Sequence, residues 1–311
     1  MAQEESHVGE RSTRPPASGS DDRGNEKAAV TGNQAVQHPW PGSDAERFTV
    51  FAHRGARAHA PENTLLALRL AFALGADAIE CDVQLSADGA LVIIHDDKVN
   101  RTTNGRGEVN LKTLAQLRAL DAGQGQRIPT LEEVLDLCRS LERQINLEVK
   151  AETLEGALAT AEALGAVLES LDAPMRSLVL VSSFELPAVA QLKQRLPWLR
   201  VATLHSGRHW RRQDMLAPAL EMGAEALHPG VNLVSPELVR RVHQAGLHVH
   251  VWTANRWSTL RQLLAWGVDG VFTDYPERAI ITRVMGGNTS EPPDDAEDQP
   301  DGSVRGVATS A

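Results

Sequence analysis

Between residues 47 and 285, short β-branched runs alternate with longer stretches whose apolar residues recur at helical spacing. The short runs predict strands at 49–53, 78–83, 91–95, 145–149, 178–182, 199–204, 226–228, 248–252 and 270–273. The longer ones predict helices at 65–74, 131–141, 154–171, 187–195, 215–222, 236–244 and 259–266. Several of these run into a glycine (Gly75, Gly223, Gly246, Gly267), the residue that most easily takes the left-handed turn ending a helix. Asn63 or Thr64 can cap the first helix, and Ser235 followed by Pro236 reads as a cap with proline at the first helical position.

Strand–helix alternation over this length is the pattern of a (β/α)8 barrel. It gives nine strands where eight are needed. Asp88-Gly89 is a strong hairpin turn, so the run 91–95 is expected either to fold back antiparallel on 78–83 or to be a regular barrel strand. A two-residue turn there would set His95 opposite Asp82. Residues 97–127 are rich in glycine with little periodicity and read as a small insertion at the barrel mouth.

Composition changes the picture at the ends. The net charge of −10 is not spread evenly: residues 1–46 hold eight acids and four bases, and residues 286–311 hold six acids and one base. These tails account for −9, so the 47–285 segment is nearly neutral. Both tails are poor in large apolar residues and are expected to be disordered. Neither forms the basic stripe that nucleic-acid binding requires, so no nucleic-acid partner is expected. No run reaches the ~18 apolar residues of a membrane span, and no secretory leader is evident. Cys81 and Cys138 match no metal-ligand or disulfide spacing and read as buried, reduced thiols, in keeping with a cytoplasmic protein. The oligomeric state is not legible.

The chemistry concentrates at strand ends. Glu80 and Asp82 flank Cys81 in an apolar run, and strand alternation puts both carboxylates on one face. Asn146-Leu147-Glu148-Val149-Lys150 repeats the logic, with Glu148 and Lys150 facing inward. Acids are depleted in strands, so three of them there predict ligands to one hard cation, Mg²⁺ or Ca²⁺, beside a phosphate-binding lysine. His53 and His95 close two further apolar runs and are candidates for an acid–base pair, with Arg54 for phosphate oxygens. Trp252 is a candidate wall of the substrate pocket, and Glu62 and His228 are kept as further candidates. The set reads as a metal-dependent hydrolase of a phosphate ester.

These motifs together resemble the glycerophosphodiester phosphodiesterase family, in its bacterial, soluble form. The likeness runs through His53-Arg54-Gly55, Pro61-Glu62-Asn63-Thr64, Glu80-Cys81-Asp82-Val83 and His95-Asp96. It continues through Arg101 to Gly105, Ile128-Pro129-Thr130-Leu131, Leu147-Glu148-Val149-Lys150, Val251 to Asn255 and Gly267 to Gly270. The resemblance implies a distorted (β/α)8 TIM-type barrel with an insertion after His95-Asp96. It implies one divalent cation on Glu80, Asp82 and Glu148, with His53 as general base, His95 as general acid, and Arg54 and Lys150 on the phosphate. The implied reaction, part of lipid and glycerol metabolism, hydrolyses glycerophosphodiesters to sn-glycerol 3-phosphate and an alcohol such as choline, ethanolamine or glycerol.

Two other readings compete. A lysophospholipase D-like enzyme acting on lysolipids would need an apolar groove or membrane-binding surface, and no basic amphipathic helix is apparent. An inert barrel that only binds glycerophosphate should have lost a histidine or an acid, and none is missing.

Overall fold

The computed structural model describes residues 48–207 and 214–286. Its strands are β1 (Thr49–His53), β2 (Ala78–Leu85), β3 (Leu91–Ile93), β4 (Gln144–Val149), β5 (Val179–Ser183), β6 (Arg200–His205), β7 (Ala226–Pro229), β8 (His248–Val251) and β9 (Gly270–Thr273). The helices are α1 (Leu65–Ala73), α2 (Leu114–Arg118), α3 (Leu131–Leu141), α4 (Leu154–Glu169) and α5 (Ala173–Leu178). They continue with α6 (Leu186–Arg195), α7 (Leu216–Met222), α8 (Pro236–Gln244), α9 (Trp257–Ala265) and α10 (Pro276–Val284).

Eight strands run parallel in the ring order β1, β2, β4, β5, β6, β7, β8, β9, and β9 pairs back onto β1 to close the barrel. The ninth, β3, lies antiparallel on β2. The surplus strand of the sequence pattern is thus a hairpin partner, and the expected barrel stands. Helices α2, α5 and α10 were not anticipated. The first two are too short to show a period, though Asp172 caps α5 by accepting from the Met175 amide at 3.0 Å. The last element, α10, follows β9 and has Pro276 in its first turn.

Helix starts follow side-chain chemistry. Thr130 and Glu133 form a reciprocal capping box on α3, which contributes roughly 1 kcal/mol. At α1 the cap is Thr64, not Asn63. Asn63 sits in the left-handed region at φ 57° and is left free for another task.

One apolar layer fills the space between barrel and helices, with Ile79, Leu147, Leu164 and Val201 fully buried. Cys81 and Cys138 belong to it as free thiols, and burial pushes Cys138 up to about 12. The barrel interior is different. Most such barrels fill it with branched aliphatics, but here Phe51, Ala78, Leu180, Ala202, Ala226 and Phe272 share it with buried Asn146, Ser182, His228 and His250. Val99, Val109, Leu117 and Ala122 of the insertion after the His95-Asp96 motif form a small apolar cluster with Val92, Ile94 and Ile128, which flank it in sequence. No helix among the described residues is long and apolar enough to cross a membrane. The expectations for residues 1–46 and 286–311 lie, Gly286 apart, outside the described residues.

The hairpin register corrects one expectation. Gln84 pairs with Val92 and Val83 with Ile93, and the Ile94 amide donates to the Asp82 carbonyl at 3.0 Å. Asp82 therefore faces Ile94, not His95. The turn has three residues rather than two: the Ser86 amide donates to the Ala90 carbonyl, and Gly89 takes φ 83° as a bulge. Continued regularly, β3 would send His95 to the outer face with Cys81. It does not continue. The strand ends at Ile93, and the Gln84 carboxamide donates to the carbonyls of Ile94, His95 and Asp96 at 3.1, 2.9 and 2.9 Å, holding the bend that turns His95 to the mouth.

Candidate active site

The cavity at the C-terminal ends of the strands holds about 230 Å³ and is bordered by His53, Arg54, Glu80, His95, Asn146, Glu148, Lys150, Phe184, Leu204, His228, Trp252 and Phe272. Parallel-barrel sites form there because neighbouring strand ends bring side chains from many elements to one mouth. All the candidates of the sequence reading border it except Glu62, which is hydrogen-bonded to Arg54, and Asp82, which is buried within the carboxylate cluster.

Glu80 and Asp82 come from β2, and Glu148 lies opposite Asp82 in the register of β4. Ligand atoms of the three carboxylates lie within 4.8 Å of one another, and all three residues are buried. Glu80 Oε1 and Asp82 Oδ1 have no hydrogen-bond partner among the described residues. Burial, then the charges of Asp82 and Glu148, push the Glu80 carboxyl well up. Burial also raises Glu148, against the pull of Lys150. Asp82 is lowered instead: Lys150, Arg54, His95 and Asn63 together outweigh its burial. Crowded, unsatisfied oxygens of this kind are what a hard cation needs, so the residues fit Mg²⁺ or Ca²⁺.

Two cationic side chains, Lys150 and Arg54, brace the cluster. Lys150 Nζ lies 2.6 Å from Glu148 Oε1 and 3.7 Å from Asp82 Oδ1. Arg54 leaves β1 at φ 56° and is followed by Gly55 at φ 81°. A Cβ at Gly55 would lie 2.6 Å from the Ala67 carbonyl carbon, so only glycine lets this turn pass α1. The turn aims the Arg54 amide at Glu80 Oε2 at 2.9 Å, and its Nε lies 3.2 Å from Asp82 Oδ2. Asn63, which the sequence offered only as a cap, donates to Asp82 Oδ2 at 2.8 Å.

Each histidine has a carboxylate on Nδ1, which leaves proton transfer to Nε2. His53 Nδ1 is 2.7 Å from Asp274 Oδ1, and Asn255 fixes that carboxylate by donating to Oδ2 at 2.8 Å. His95 Nδ1 is 2.7 Å from Asp96 Oδ1. Arg101 donates to both oxygens of Asp96 at 2.9 and 2.7 Å and to both oxygens of Glu62 at 2.7 and 2.8 Å. Glu62 in turn accepts from Arg54 Nη1 at 2.9 Å. Burial alone would raise Glu62, but Arg101, Arg54 and Arg57 bring it to about 2. Glu62 is thus the link between Arg54 and the His95 pair. Burial, helped by Lys150 and Arg54, lowers His95 despite Asp82 and Asp96.

Asp274 and Asn255 were not singled out from the sequence, nor was Gln84. Their signal was present: an Asp follows the last strand and an Asn follows β8. Only chain closure through β9 and β1, 221 residues apart at the His53–Asp274 contact, brings them together. Trp252 stands over the far wall, its Nε1 donating to the His228 carbonyl at 2.8 Å and its ring edge-on to Phe184 at 5.5 Å.

Residues 53–278 match the model of the glycerophosphoryl diester phosphodiesterase family. A glycerophosphodiester phosphodiesterase of Caldanaerobacter subterraneus is 37% identical over 248 residues, covering 76% of this chain and 98% of that protein. One from Bacillus subtilis is 32% identical, with 75% and 85% covered. Among solved structures, an Oleispira antarctica phosphodiesterase in complex with the product sn-glycerol-3-phosphate is 33% identical, with a TM-score of 0.69 over 76% of this chain and 96% of that one. A protein from Silicibacter pomeroyi is 27% identical with a TM-score of 0.72, covering 78% of this chain and 95% of that one.

Proposed function

The chain belongs to the glycerophosphoryl diester phosphodiesterase family, and we propose that it hydrolyses glycerophosphodiesters to sn-glycerol 3-phosphate and a free alcohol. His53 and His95 act as the acid–base pair, and Glu80, Asp82 and Glu148 hold one divalent cation. The carrying observation is the convergence, at one mouth, of three buried carboxylates with two histidines that each have Nδ1 engaged by an aspartate.

Arg54 and Lys150 offset charge on the phosphoryl oxygens, which grows as the nucleophile bonds to phosphorus. Burial lowers Lys150 less than Glu148 and Asp82 raise it, so the ammonium stays charged. One imidazole takes a proton from the nucleophile at Nε2. The other delivers its Nε2 proton to the alcohol oxygen as the bond between phosphorus and that oxygen breaks. Asp274 and Asp96 hold the two rings in the tautomer this needs. Glu80, Asp82 and Glu148 would hold the divalent cation, and the chemistry it would supply when bound is Lewis-acid polarisation of a phosphoryl oxygen.

The small cavity supports a compact substrate, since drug-sized ligands occupy roughly 300–1,000 Å³. Assay of glycerophosphocholine, glycerophosphoethanolamine and lysophosphatidylcholine with Mg²⁺, Ca²⁺ or a chelator tests the reading. Glycerophosphodiester turnover should vanish on chelation and return with Mg²⁺ or Ca²⁺. Full turnover by protein shown to be metal-free by elemental analysis would overturn the cation assignment, and turnover of lysolipid alone would overturn the substrate assignment.

A further inference from the structure

The two histidine–aspartate pairs come from distant parts of the chain: His53 and Asp274 meet where β9 closes on β1, and His95 and Asp96 follow β3. Between them runs a series of charges of alternating sign. Arg57, in the turn after β1, places Nη1 3.7 Å from Asp274 Oδ1 and Nε 3.3 Å from Glu62 Oε2. Both oxygens of Glu62 accept from Arg101, which also donates to both oxygens of Asp96. The path from His53 to His95 is therefore Asp274, Arg57, Glu62, Arg101 and Asp96. Arg57 is the step that joins its two halves, and neither the sequence reading nor the catalytic steps above give it a task.

Local chain geometry brings Arg57 to this place. Its amide donates to the Gly55 carbonyl at 2.8 Å, and the next amide, of Ala58, donates to the Asp274 carbonyl at 3.2 Å. One turn thus meets Asp274 through main chain and side chain alike. Both carboxylates respond to the guanidinium. Burial would raise Asp274, but its bond to His53 and the charges of His53 and Arg57 lower it, and Arg57 is one of three arginines that lower Glu62. A planar fork can face two carboxylates at once, which a point charge does less well. Fold stability is a weak reason for such a residue, because its side chain is 36% exposed and long, exposed ion pairs contribute little. Placement is a stronger one. Two imidazoles that serve one phosphorus must keep a fixed geometry, and a shift of about 1 Å in a reacting group can cost about 10²-fold in rate.

Resting on the acid–base reading of His53 and His95, we propose that Arg57 is a positioning residue that ties Asp274 to Glu62 and so holds the two histidines as one unit. During turnover one ring gains a proton and the other gives one up, so the total charge along the series stays constant while its ends exchange.

The test is a double-mutant cycle on the metal-supplemented full chain, with glycerophosphocholine as substrate. Arg57→Gln should lower kcat by about 10-fold and shift the pH–rate profile, with KM little changed because Arg57 does not border the cavity. Asp96→Asn is the second arm, separated from Arg57 by Glu62 and Arg101. Sites in one network are not additive, so the loss in the double variant should fall short of the product of the single losses by about 3-fold or more. Arg57→Met repeats the cycle without the new hydrogen bonds a glutamine can make. Losses that multiply in whichever variant folds overturn the proposal, since Arg57 would then act on Asp274 alone. Wild-type kcat in both Arg57 variants, or a change confined to Tm, overturns it as well. Full activity of His53→Ala and His95→Ala would instead overturn the acid–base reading beneath it.

Discussion

At the residue scale, the two histidines carry the sharpest expectations. His53→Ala and His95→Ala should each lower kcat by about 10²–10⁴. The double variant should cost far less than the product, because groups acting as a unit are not additive. Near wild-type turnover of glycerophosphocholine in both single variants would be incompatible with the mechanism. The roles within the pair are separable. The family resemblance puts the base at His53, while the lowered pKa of His95 favours the neutral form that a base uses. A substrate with a good leaving group needs little protonation, so it should rescue only the variant that lacks the acid. Asp274→Asn tests the brace behind His53. It should lower kcat more than it raises KM and shift the pH–rate profile, and a loss confined to thermal stability would exclude the positioning role.

At the element scale, two glycines with similar backbone angles do different work. Gly55 and Gly89 sit at φ 81° and 83°, but a Cβ at Gly89 meets nothing within 4 Å, whereas one at Gly55 collides with the backbone of α1. Gly89→Ala should therefore cost only the left-handed strain, about 1 kcal/mol, lowering Tm by about 2–4 °C. Gly55→Ala adds an overpacking cost of roughly 2–3 kcal/mol and displaces Arg54, so it should lower Tm several times further and reduce turnover. Equal melting temperatures for the two variants would refute this ranking. The hairpin shows how small an error in element geometry matters. Asp88-Gly89 was correctly legible as a turn, but the loop length was not, and one residue of register decides which face every later side chain takes. Gln84, an unremarked polar residue on β2, then restores His95 to the mouth.

At the scale of the whole molecule, acid should loosen the mouth before the core. Glu62 has its folded pKa depressed to about 2, so its contribution is complete above the ordinary glutamate range near 4.3 and is lost as pH falls through 2. The shift corresponds to roughly 3 kcal/mol, an order-of-magnitude value for a largely buried carboxylate. Urea unfolding of wild type and Glu62→Gln should differ most at pH 7 and converge towards pH 2; a constant gap across that range would refute the coupling. The charge of the tails leads to a separate expectation. A truncated chain of residues 46–285 keeps the nearly neutral segment that includes every site residue, so it should retain its fold and its rate on soluble substrate. A folded truncated chain with most of its activity lost would give the tails a role.

The sequence by itself determined the barrel, the insertion and most of the side chains that gather at the barrel mouth. Those are written in local rules: the alternation of strand and helix patterns, the acids two apart on a strand, the histidines at the ends of apolar runs. Residues 80, 82 and 148 could be read as one cluster because strand alternation fixes which face each takes, and the barrel fixes where those faces meet. What only the tertiary structure decided are the contacts made by chain closure and irregular backbone. Asp274 reaches His53 across the β9–β1 seam, Asn63 leaves its helix cap to hold Asp82, and Glu62 joins Arg54 to Arg101. His228 and Asn146, set on walls three strands apart, border one cavity. No period or propensity encodes such meetings, because they depend on where distant segments end and how loops bend, which is settled only when the whole core packs.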